Sequence, residues 1–288
     1  MNLFVRTLVT LASVTTAIHA QTVSYAEHGS ADQVMDVYWP RTKPAATILF
    51  IHGGSLQESG ERRTSAAYRN VCTQFIAHDI ACATMDYRLA PSNKWPAMPN
   101  DVASAVAALR KLLATGKGDP SKIFLFGHSS GCHLAAIVGT DSTYLHNVGL
   151  HTSDIAGIIP MGCTLDRDDA TLRQLTPDKI RTGFAGDAQD IATFGTPETY
   201  LSANPASFIG KHVPPTLIVL ADGERFMPPV MEQGSRFVRL LLENDVPANL
   251  VVVPGRHMSS IAAVSTPGDP TFAAILAVAA LTLGVAWA

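Results

Sequence analysis

A serine flanked by two glycines is the clearest chemical feature of this sequence. The segment "KIFLFGHSSGCHLAAIVG" places Ser129 two residues after Gly127 and two residues before Gly131. The apolar run before Gly127 predicts a buried strand, and the residues after Ser129 predict a helix. A Gly-x-Ser-x-Gly turn between a strand and a helix is a nucleophile elbow, whose strained backbone exposes the serine hydroxyl at the sheet edge. Ser129 is therefore the candidate nucleophile; the alternative is a glycine-rich packing turn in which Ser129 caps the helix.

The candidate base comes from the histidines that follow Ser129, because a serine hydroxyl is a weak nucleophile without a general base. These histidines are His133, His146, His151, His212 and His257. Only His257 follows the last predicted strand, in the segment "PGRHMSS", where a loop can carry the imidazole back to the elbow. We therefore predict that His257 is the base, and the alternative is an ordinary surface histidine.

Two carboxylates compete for the role of the acid that orients the base. Proteins built around this elbow place the nucleophile, the acid and the histidine in that order along the chain. The segment "ADGERFMPP", directly after the predicted strand 216–221, contains Asp222 and Glu224. Asp222 abuts the strand, where it could bind the turn backbone instead. Glu224 lies further out and has a longer side chain, so it is the preferred acid and Asp222 is the alternative.

Backbone N–H groups must stabilise the oxyanion that forms when a serine attacks a carbonyl group. The segment "FIHGGS" ends the first buried strand, and its glycines leave their N–H groups free to face the site. We expect one or both of Gly53 and Gly54 to donate to the oxyanion, together with the N–H of Ser130. The alternative is a plain glycine turn.

Short apolar runs alternate with helical patterns along the chain and supply a scaffold for these candidates. Strands are predicted over 35–39, 47–51, 80–85, 123–126, 155–159, 216–221 and 249–253, and helices over 66–78, 100–113, 130–139, 229–243 and from 271 onward. The first of these strands alternates like an edge strand. Strands buried on both faces and alternating with helices predict an α/β fold, with a mostly parallel central sheet covered by helices on both faces. In such sheets ligands bind at the carboxyl ends of the strands, where all the candidate residues lie.

Composition narrows the class of protein. The chain has 288 residues, 47% hydrophobic and 16% charged, with a formal net charge of −3. This suits one large globular domain or two small ones, and it gives no electrostatic footprint for nucleic acid. The segment 161–212 separates two predicted strands and is rich in Gly, Pro, Asp and Thr, so we predict a cap-like insertion over the site.

The cysteines do not predict a metal site. None of Cys72, Cys82, Cys132 and Cys163 belongs to a Cys-x-x-Cys pair, so zinc is not expected. Three of them have apolar or strand-like neighbours. We therefore predict buried free thiols, with a Cys72–Cys82 bridge as the alternative.

The N-terminus resembles a secretory signal peptide. Residues 1–20 combine one early positive charge, an apolar stretch and a possible cleavage site before Gln21. The mature protein, residues 21–288, is then a single secreted domain. The alternative is a disordered or helical N-terminal extension.

The C-terminal segment 271–288 carries no charge and just reaches the length of a membrane span or a lipid-anchor signal. Because Gly268, Asp269 and Pro270 form a normal helix start, we prefer a last helix packed on the sheet. Membrane contact, and a membrane-anchored extracellular protein, are expected only if this tail is an anchor signal.

Five segments together resemble the α/β-hydrolase superfamily, and more closely its carboxylesterase branch of hormone-sensitive-lipase-like and kynurenine-formamidase-like esterases. They are "HGGS" at His52, "DYRLAP" at Asp86, "GHSSG" at Gly127, "ADGERFMPP" at Ala221 and "GRHMSS" at Gly255. The resemblance runs from about residue 34 to 275 and implies a sheet of about eight strands, a serine hydrolase mechanism and no cofactor. It also implies that residues 86–88 brace the loop beside the oxyanion hole.

The sequence departs from that branch at three points. Ser55 stands where lipase-like esterases usually have a third glycine, and Leu56 stands where formamidase-like members usually have an aromatic residue. The usual acid is an aspartate a few residues after the strand, and that register is broken here.

These features together predict a secreted serine carboxylesterase that cleaves small to medium acyl or aryl esters through an acyl-enzyme. A small-molecule ester is the expected partner. One alternative is an arylformamidase-type amidase, which would use the same triad. The other, from a different class, is a catalytically silent hydrolase fold that serves as a binding protein.

Overall fold

An eight-stranded sheet forms the centre of the computed structural model, which describes residues 20–166, 188–224 and 230–283. In chain order its strands are β1 (Ala20–Ser24), β2 (Val34–Tyr38), β3 (Ala46–Ile51), β4 (Ile80–Met85), β5 (Ile123–His128), β6 (Gly157–Met161), β7 (Thr216–Ala221) and β8 (Ala248–Val253). They lie in the order β1-β2-β4-β3-β5-β6-β7-β8. β2 pairs with β1 and with β4 in antiparallel fashion, and the remaining neighbours are parallel. The predicted mostly parallel sheet of an α/β fold is confirmed.

Helices cover both faces of this sheet. The described part of the chain contains α1 (Cys72–Ala77), α2 (Ala97–Leu112), α3 (Ser130–Thr140), α4 (Ser142–His146), α5 (Ala188–Phe194), α6 (Pro197–Ser202), α7 (Val230–Glu243), α8 (His257–Val264) and α9 (Pro270–Leu283). Alternate residues of a strand point to opposite faces. Leu49 and Ile51 of β3 accordingly pack in one apolar core with α2, whereas Ile48 and Phe50 pack in a second core with α9. Both faces of β3 are therefore buried, which explains why its sequence is an uninterrupted apolar run.

The antiparallel end of the sheet differs from the prediction. The strand that alternates like an edge, β2, is the second strand, because β1 lies outside it with the register Gln21 to Val37. β1 has no fully buried residue, so its sequence carries no apolar signal. Its exposed pattern is what an edge strand requires.

The helix before β4 is shorter than its sequence pattern suggests. A helix was predicted over 66–78, but α1 begins only at Cys72. The residues before it form hydrogen-bonded turns, in which the Tyr68 N–H donates to Ser65 O and the Val71 N–H donates to Tyr68 O. These turns bury Tyr68 completely beneath the carboxyl end of the sheet.

The segment after β8 is a helix rather than the predicted loop. His257 is the first residue of α8. The backbone N–H of Arg256 donates to the hydroxyl of Ser259 at 2.8 Å, which satisfies an amide at the start of the helix. The candidate base is thereby held on a regular element.

The prediction of buried free thiols is wrong. Cys72 is bonded to Cys82, and Cys132 is bonded to Cys163. The Cα atoms of the two pairs lie 5.3 and 5.8 Å apart, within the range that a disulfide spans. The cysteines are buried, as predicted. Which cysteines bond to each other depends on which strands and helices become neighbours. The first disulfide is the bridge that the sequence analysis kept as an alternative.

The last helix packs on the sheet, as preferred from the sequence. Phe272, Ile275 and Ala279 of α9 are buried in the core that contains β7. Residues 284–288 of the apolar tail lie outside the described residues. In the part of the chain that the structure describes, none of the helices combines the length and apolar character that crossing a membrane requires.

Two further predictions fall partly or wholly outside the described residues. The proposed signal segment is described only at Ala20, where β1 begins. Of the segment 161–212, the described parts hold α5, α6 and a short helical turn at Pro205–Phe208.

Candidate active site

The nucleophile elbow lies at the junction of β5 and α3. Ser129 adopts φ 57° and ψ −125°, a conformation that non-glycine residues rarely occupy. The turn is tied to the next strand by a hydrogen bond from the Ser129 N–H to Met161 O at 3.0 Å. A Cβ at Gly127 would lie 2.0 Å from the carbonyl oxygen of Gly131, and one at Gly131 would lie 2.1 Å from that of Ile51. Both glycines are therefore needed for the close packing of strand and helix around Ser129.

Glu224 and His257 are in direct hydrogen-bond contact at the same edge of the sheet. His257 Nδ1 lies 2.6 Å from Glu224 Oε1. The carboxylate is buried, and its second oxygen accepts the Ala221 N–H at 3.3 Å. The imidazole is mostly buried, with 20% of its side-chain surface exposed. A carboxylate bound at Nδ1 fixes the proton on that nitrogen and leaves Nε2 to accept another one.

Asp222 has a different environment. Its side chain is exposed and accepts the Gly255 N–H at 3.0 Å, while its own N–H donates to Val253 O. Asp222 thus joins the ends of β7 and β8. Of the two candidate acids, Glu224 is the one that the structure brings next to His257.

Gly162, at the end of β6, shapes the space in which Glu224 and His257 meet. Its φ is +69°, in the left-handed region that favours glycine. A Cβ at this position would lie 2.8 Å from Glu224 Oε1 and 3.3 Å from His257 Nδ1. The sequence analysis missed Gly162, although a glycine directly after a buried strand, at the carboxyl edge of the sheet, was a usable signal.

The glycine segment after β3 lies against the elbow. A Cβ at Gly53 would come within 2.8 Å of the Ser129 Cβ, so the backbone at Gly53 touches the candidate nucleophile. Gly54, Ser55 and Leu56 all have positive φ values, of 103°, 59° and 63°. Three successive left-handed residues make a tight turn, which is costly for Ser and Leu side chains. Of the predicted donors, Gly53 contacts Ser129 and Ser130 follows it in the chain, whereas a Cβ at Gly54 would face the Glu61 backbone.

The segment "DYRLAP" is hydrogen-bonded to this turn and helps to hold it in place. The Tyr87 hydroxyl donates to the His52 carbonyl oxygen at 2.8 Å. Asp86 accepts the Arg63 N–H at 2.9 Å and also binds the Arg63 guanidinium group. Burial alone would raise the pKa of Asp86, but the nearby His52 imidazole, the Arg63 backbone N–H and the Arg63 guanidinium group hold that pKa below its ordinary value. Arg88 binds the buried Asp101 instead.

Ser129 and His257 line one cavity of about 370 Å³. The other lining residues come from the turn after β3, from α3, from the segment after β6 and from the 161–212 region: Ser55, Leu56, Ser130, His133, Gly162, Cys163, Thr164, Gln189, Asp190, Thr193, Phe194 and Tyr200. The wall of the cavity thus combines aromatic groups with amide and hydroxyl groups. The Cys132–Cys163 disulfide joins α3 to the wall.

Helix α5 is tied to the turn after β3. The Gln57 side-chain amide donates to the Thr193 hydroxyl at 2.6 Å, and Thr193 O accepts the Trp95 N–H at 2.8 Å. The Phe194 ring packs against the rings of Trp95 and Tyr200, with centroids 5.5 and 5.1 Å away. These contacts hold one wall of the cavity in place, and no local sequence pattern predicts them.

The described residues do not form a recognisable metal centre. Within residues 20–166, 188–224 and 230–283, no group of three or more His, Cys, Asp or Glu side chains is arranged to hold a metal ion.

Curated relatives of the chain are esterases. It is 28% identical to esterase LipC of Mycobacterium tuberculosis over 237 residues, which cover 78% of this chain and 55% of LipC. It is 24% identical to the probable carboxylic ester hydrolase LipM of the same organism over 230 residues, which cover 76% of this chain and 51% of LipM. The chain therefore spans about half the length of these relatives.

Solved esterase structures share the fold. Esterase B from Lactobacillus rhamnosis superposes with a TM-score of 0.71 at 16% identity, over 93% of this chain and 87% of that protein. A hyperthermophilic esterase from the archaeon Pyrobaculum calidifontis gives a TM-score of 0.68 at 19% identity, over 93% and 86%. At these identities the likeness concerns the fold alone.

The sequence profile of the BD-FAE family matches residues 35–237, which include the turn after β3, the elbow and Glu224. This match covers most of the chain, and the sheet order and the elbow geometry agree with it. The chain belongs to the BD-FAE family, within the α/β-hydrolase superfamily.

Proposed function

We propose that the protein is a serine carboxylesterase that cleaves small to medium acyl or aryl esters. The observation that carries this proposal is the cavity shared by Ser129 and His257, with the imidazole bound to a buried carboxylate at 2.6 Å. The esterase relatives support the same class of reaction.

The reaction follows from these groups in two stages. Ser129 Oγ attacks the ester carbonyl carbon, and His257 Nε2 takes the hydroxyl proton. When the tetrahedral intermediate collapses, His257 returns that proton to the leaving alcohol and an acyl-enzyme remains. Water, activated by the same histidine, then attacks the acyl carbon and releases the acid. Each stage restores the protonation state with which the cycle began.

Glu224 is the proposed acid of the triad. Its buried charge stabilises the imidazolium that forms during each proton transfer, and its hydrogen bond keeps the proton on Nδ1. Glu224→Gln should therefore lower kcat by at least about a hundredfold. Asp222→Asn is the matched control, because the exposed Asp222 side chain binds the Gly255 N–H beyond the end of β8. If Asp222→Asn is the crippled variant and Glu224→Gln stays active, the acid has been assigned to the wrong residue.

The backbone N–H groups of Gly53, Gly54 and Ser130 are the proposed oxyanion donors. Support comes from their position: Gly53 touches Ser129, Gly54 is held in a left-handed turn, and Ser130 begins α3. Preorganised donors of this kind cost no rearrangement when negative charge develops on the substrate oxygen.

The region 161–212 is proposed to act as a cap over the cavity. Gln189, Asp190, Thr193 and Phe194 of α5, and Tyr200 of α6, contribute to the cavity wall. The size of the cavity therefore depends on this insertion, which is why ester chain length is the property to vary.

An ester panel tests the proposed activity. Nitrophenyl acetate, butyrate and octanoate would be assayed beside N-formylkynurenine, with Ser129→Ala as the inactive variant and Ser235→Ala, an exposed serine of α7, as the control. We expect ester turnover that Ser129→Ala lowers by roughly 10⁴-fold or more. Preference for N-formylkynurenine would favour an amidase of the arylformamidase type. Absence of turnover on every substrate would support a silent binding protein.

We also propose that the protein is secreted after removal of residues 1–20. The two disulfides support this, because such bonds persist in oxidising compartments and are rare in the cytosol. The mature chain would then begin in β1.

A further inference from the structure

The histidine that precedes the candidate nucleophile is fully buried and touches the candidate base. His128 Nε2 lies 3.0 Å from the backbone carbonyl oxygen of His257. The two imidazole rings lie 4.6 Å apart between centroids, with planes tilted by 36°. His128 Nδ1 lies 2.9 Å from the hydroxyl oxygen of Tyr68, which is also fully buried. Neither His128 nor Tyr68 lines the cavity that holds Ser129.

The contact with the His257 carbonyl oxygen defines the tautomer of His128. The His257 carbonyl oxygen can only accept, so His128 Nε2 must carry a hydrogen. Burial, with the nearby His257, lowers the pKa of His128 to about 3, so its ring is neutral at neutral pH. Nδ1 therefore has no hydrogen and can accept the Tyr68 hydroxyl proton, for which the Glu61 carboxylate is a second acceptor. A Tyr68 hydroxyl that donates to Nδ1 thus favours the tautomer of His128 that can hold the His257 backbone.

The other end of the chain reaches the turn after β3. A Cβ at Gly53 would lie 2.5 Å from the Tyr68 hydroxyl oxygen, so this oxygen packs directly on the Gly53 backbone. Tyr68 and His128 therefore span from the proposed oxyanion turn, past the elbow, to the first residue of α8. The span is buried along its whole length.

The contact with His128 differs from the other side-chain bond to the same carbonyl. The Ser260 hydroxyl also donates to His257 O at 3.0 Å, but Ser260 lies on α8 and moves with it. His128 belongs to β5, the strand that carries Ser129. Among these two contacts, only the His128 bond fixes α8 relative to the elbow.

We propose that His128 and Tyr68 are positioning residues, a buried pair that holds the His257 backbone so that its imidazole faces Glu224 and Ser129 at the same time. This inference rests on the proposed esterase function. Neither residue touches the ester; both act through the placement of His257. Loss of the pair should lower the rate of proton transfer and leave the contacts of the ester with the cavity wall unchanged.

Three substitutions separate this role from simple space filling. Tyr68→Phe removes only the hydroxyl group, and His128→Leu removes both hydrogen bonds at similar bulk. His128→Gln keeps one donor and one acceptor at the tip of the side chain, so it can restore both bonds. Val106→Ala, in the core of α2 on the other face of the sheet, controls for a general loss of stability.

We expect Tyr68→Phe and His128→Leu to lower kcat by about 10- to 100-fold with little change in KM, as a misplaced catalytic group does. His128→Gln should recover most of kcat, and Val106→Ala should retain it. Equal kcat in His128→Leu and Val106→Ala would overturn the proposal, as would a kcat in His128→Gln as low as in His128→Leu.

A second measurement does not depend on turnover. The short bond between His257 Nδ1 and Glu224 should give a low-field imidazole proton signal in the NMR spectrum of the wild-type protein. The proposal requires this signal to weaken or shift in Tyr68→Phe and His128→Leu and to persist in His128→Gln. A signal unchanged in His128→Leu would overturn the positioning role even if the protein proved not to be an esterase. Inactivity of the wild-type protein with the expected NMR response would instead count against the proposed function alone.

Discussion

Replacement of Gly162 by alanine offers a sharp test of the contact between Glu224 and His257. The new Cβ would lie 2.8 Å from Glu224 Oε1, whereas ordinary contacts begin at 3.4 Å, so a retreat of the carboxylate oxygen by about 0.6 Å is needed to restore an ordinary contact. That oxygen is the one bound to His257 Nδ1 at 2.6 Å. The retreat therefore breaks or bends the bond that orients the imidazole.

Gly149 supplies a matched control for the backbone cost. Its φ is +75°, close to the +69° of Gly162, and a Cβ there would meet no atom within 4 Å. Alanine in the left-handed region costs about 1–2 kcal/mol at either position. The difference between the two variants then reports the contact with Glu224 and His257.

Both variants would be compared by urea denaturation and by kcat on one nitrophenyl ester at a fixed pH. We expect both to lose about 1–2 kcal/mol of unfolding free energy from the backbone, with a further loss for Gly162→Ala. Gly149→Ala should keep wild-type kcat, while Gly162→Ala should lose about 10- to 100-fold. A Gly162→Ala enzyme as active as Gly149→Ala would refute the view that the bond between Glu224 and His257 drives catalysis.

Three further predictions follow from other parts of the structure. The double replacement Cys132→Ala/Cys163→Ala opens a loop with a sequence separation of 31 and should cost about 3–4 kcal/mol of unfolding free energy. The replacement Cys72→Ala/Cys82→Ala opens a loop with a separation of 10 and should cost less. A larger loss in the second variant, measured by urea denaturation, would contradict this. Because the folded pKa of His128 is about 3 and an unfolded histidine titrates near 6.5, the unfolded chain binds more protons below pH 6.5 and stability falls as pH falls. Wild type should therefore lose about 2 kcal/mol more than His128→Gln between pH 7 and pH 5, and equal losses would contradict the neutral buried histidine. Mass spectrometry of the product from a secreting host should find its N-terminus near Gln21, and an intact Met1 would exclude the proposed signal peptide.

Local patterns predicted the centre of the scaffold because the strands β3 to β7 are buried on both faces. The observed bounds of β4 and β7 are those predicted, since every residue of both strands is apolar or small and every one is buried. The elbow was equally visible, because Gly127, Ser129 and Gly131 lie close together in sequence. In these segments the conformation is determined by residues that lie close together in the sequence.

Features that join distant segments were not predictable in the same way. The strand β1 has an exposed, weakly apolar sequence, and only its pairing with β2 defines it. The disulfide partners are brought together by the packing of α3 against the segment after β6. Tyr68 and His128 are separated by 60 residues, and nothing near either of them indicates the other.

The choice of the acid was partly predictable from local sequence and partly dependent on contacts between distant segments. The sequence limited it to two residues beyond β7, and it preferred the one with the longer reach. The distance from Glu224 to His257 and the bond from Gly255 to Asp222 depend on the turn that follows the strand. That turn is set by contacts with the end of β8, so the two roles could be separated only in three dimensions.

Covalent labelling of Ser129 tests the central claim most directly. A fluorophosphonate probe reacts with an activated serine, and peptide mass spectrometry locates the adduct. We expect that the folded wild-type protein carries the adduct on Ser129, that labelling disappears in Ser129→Ala, and that it slows by several orders of magnitude in His257→Ala. Unchanged labelling of Ser129→Ala, or no labelling of the folded wild-type protein, would contradict the assignment of Ser129 as the nucleophile.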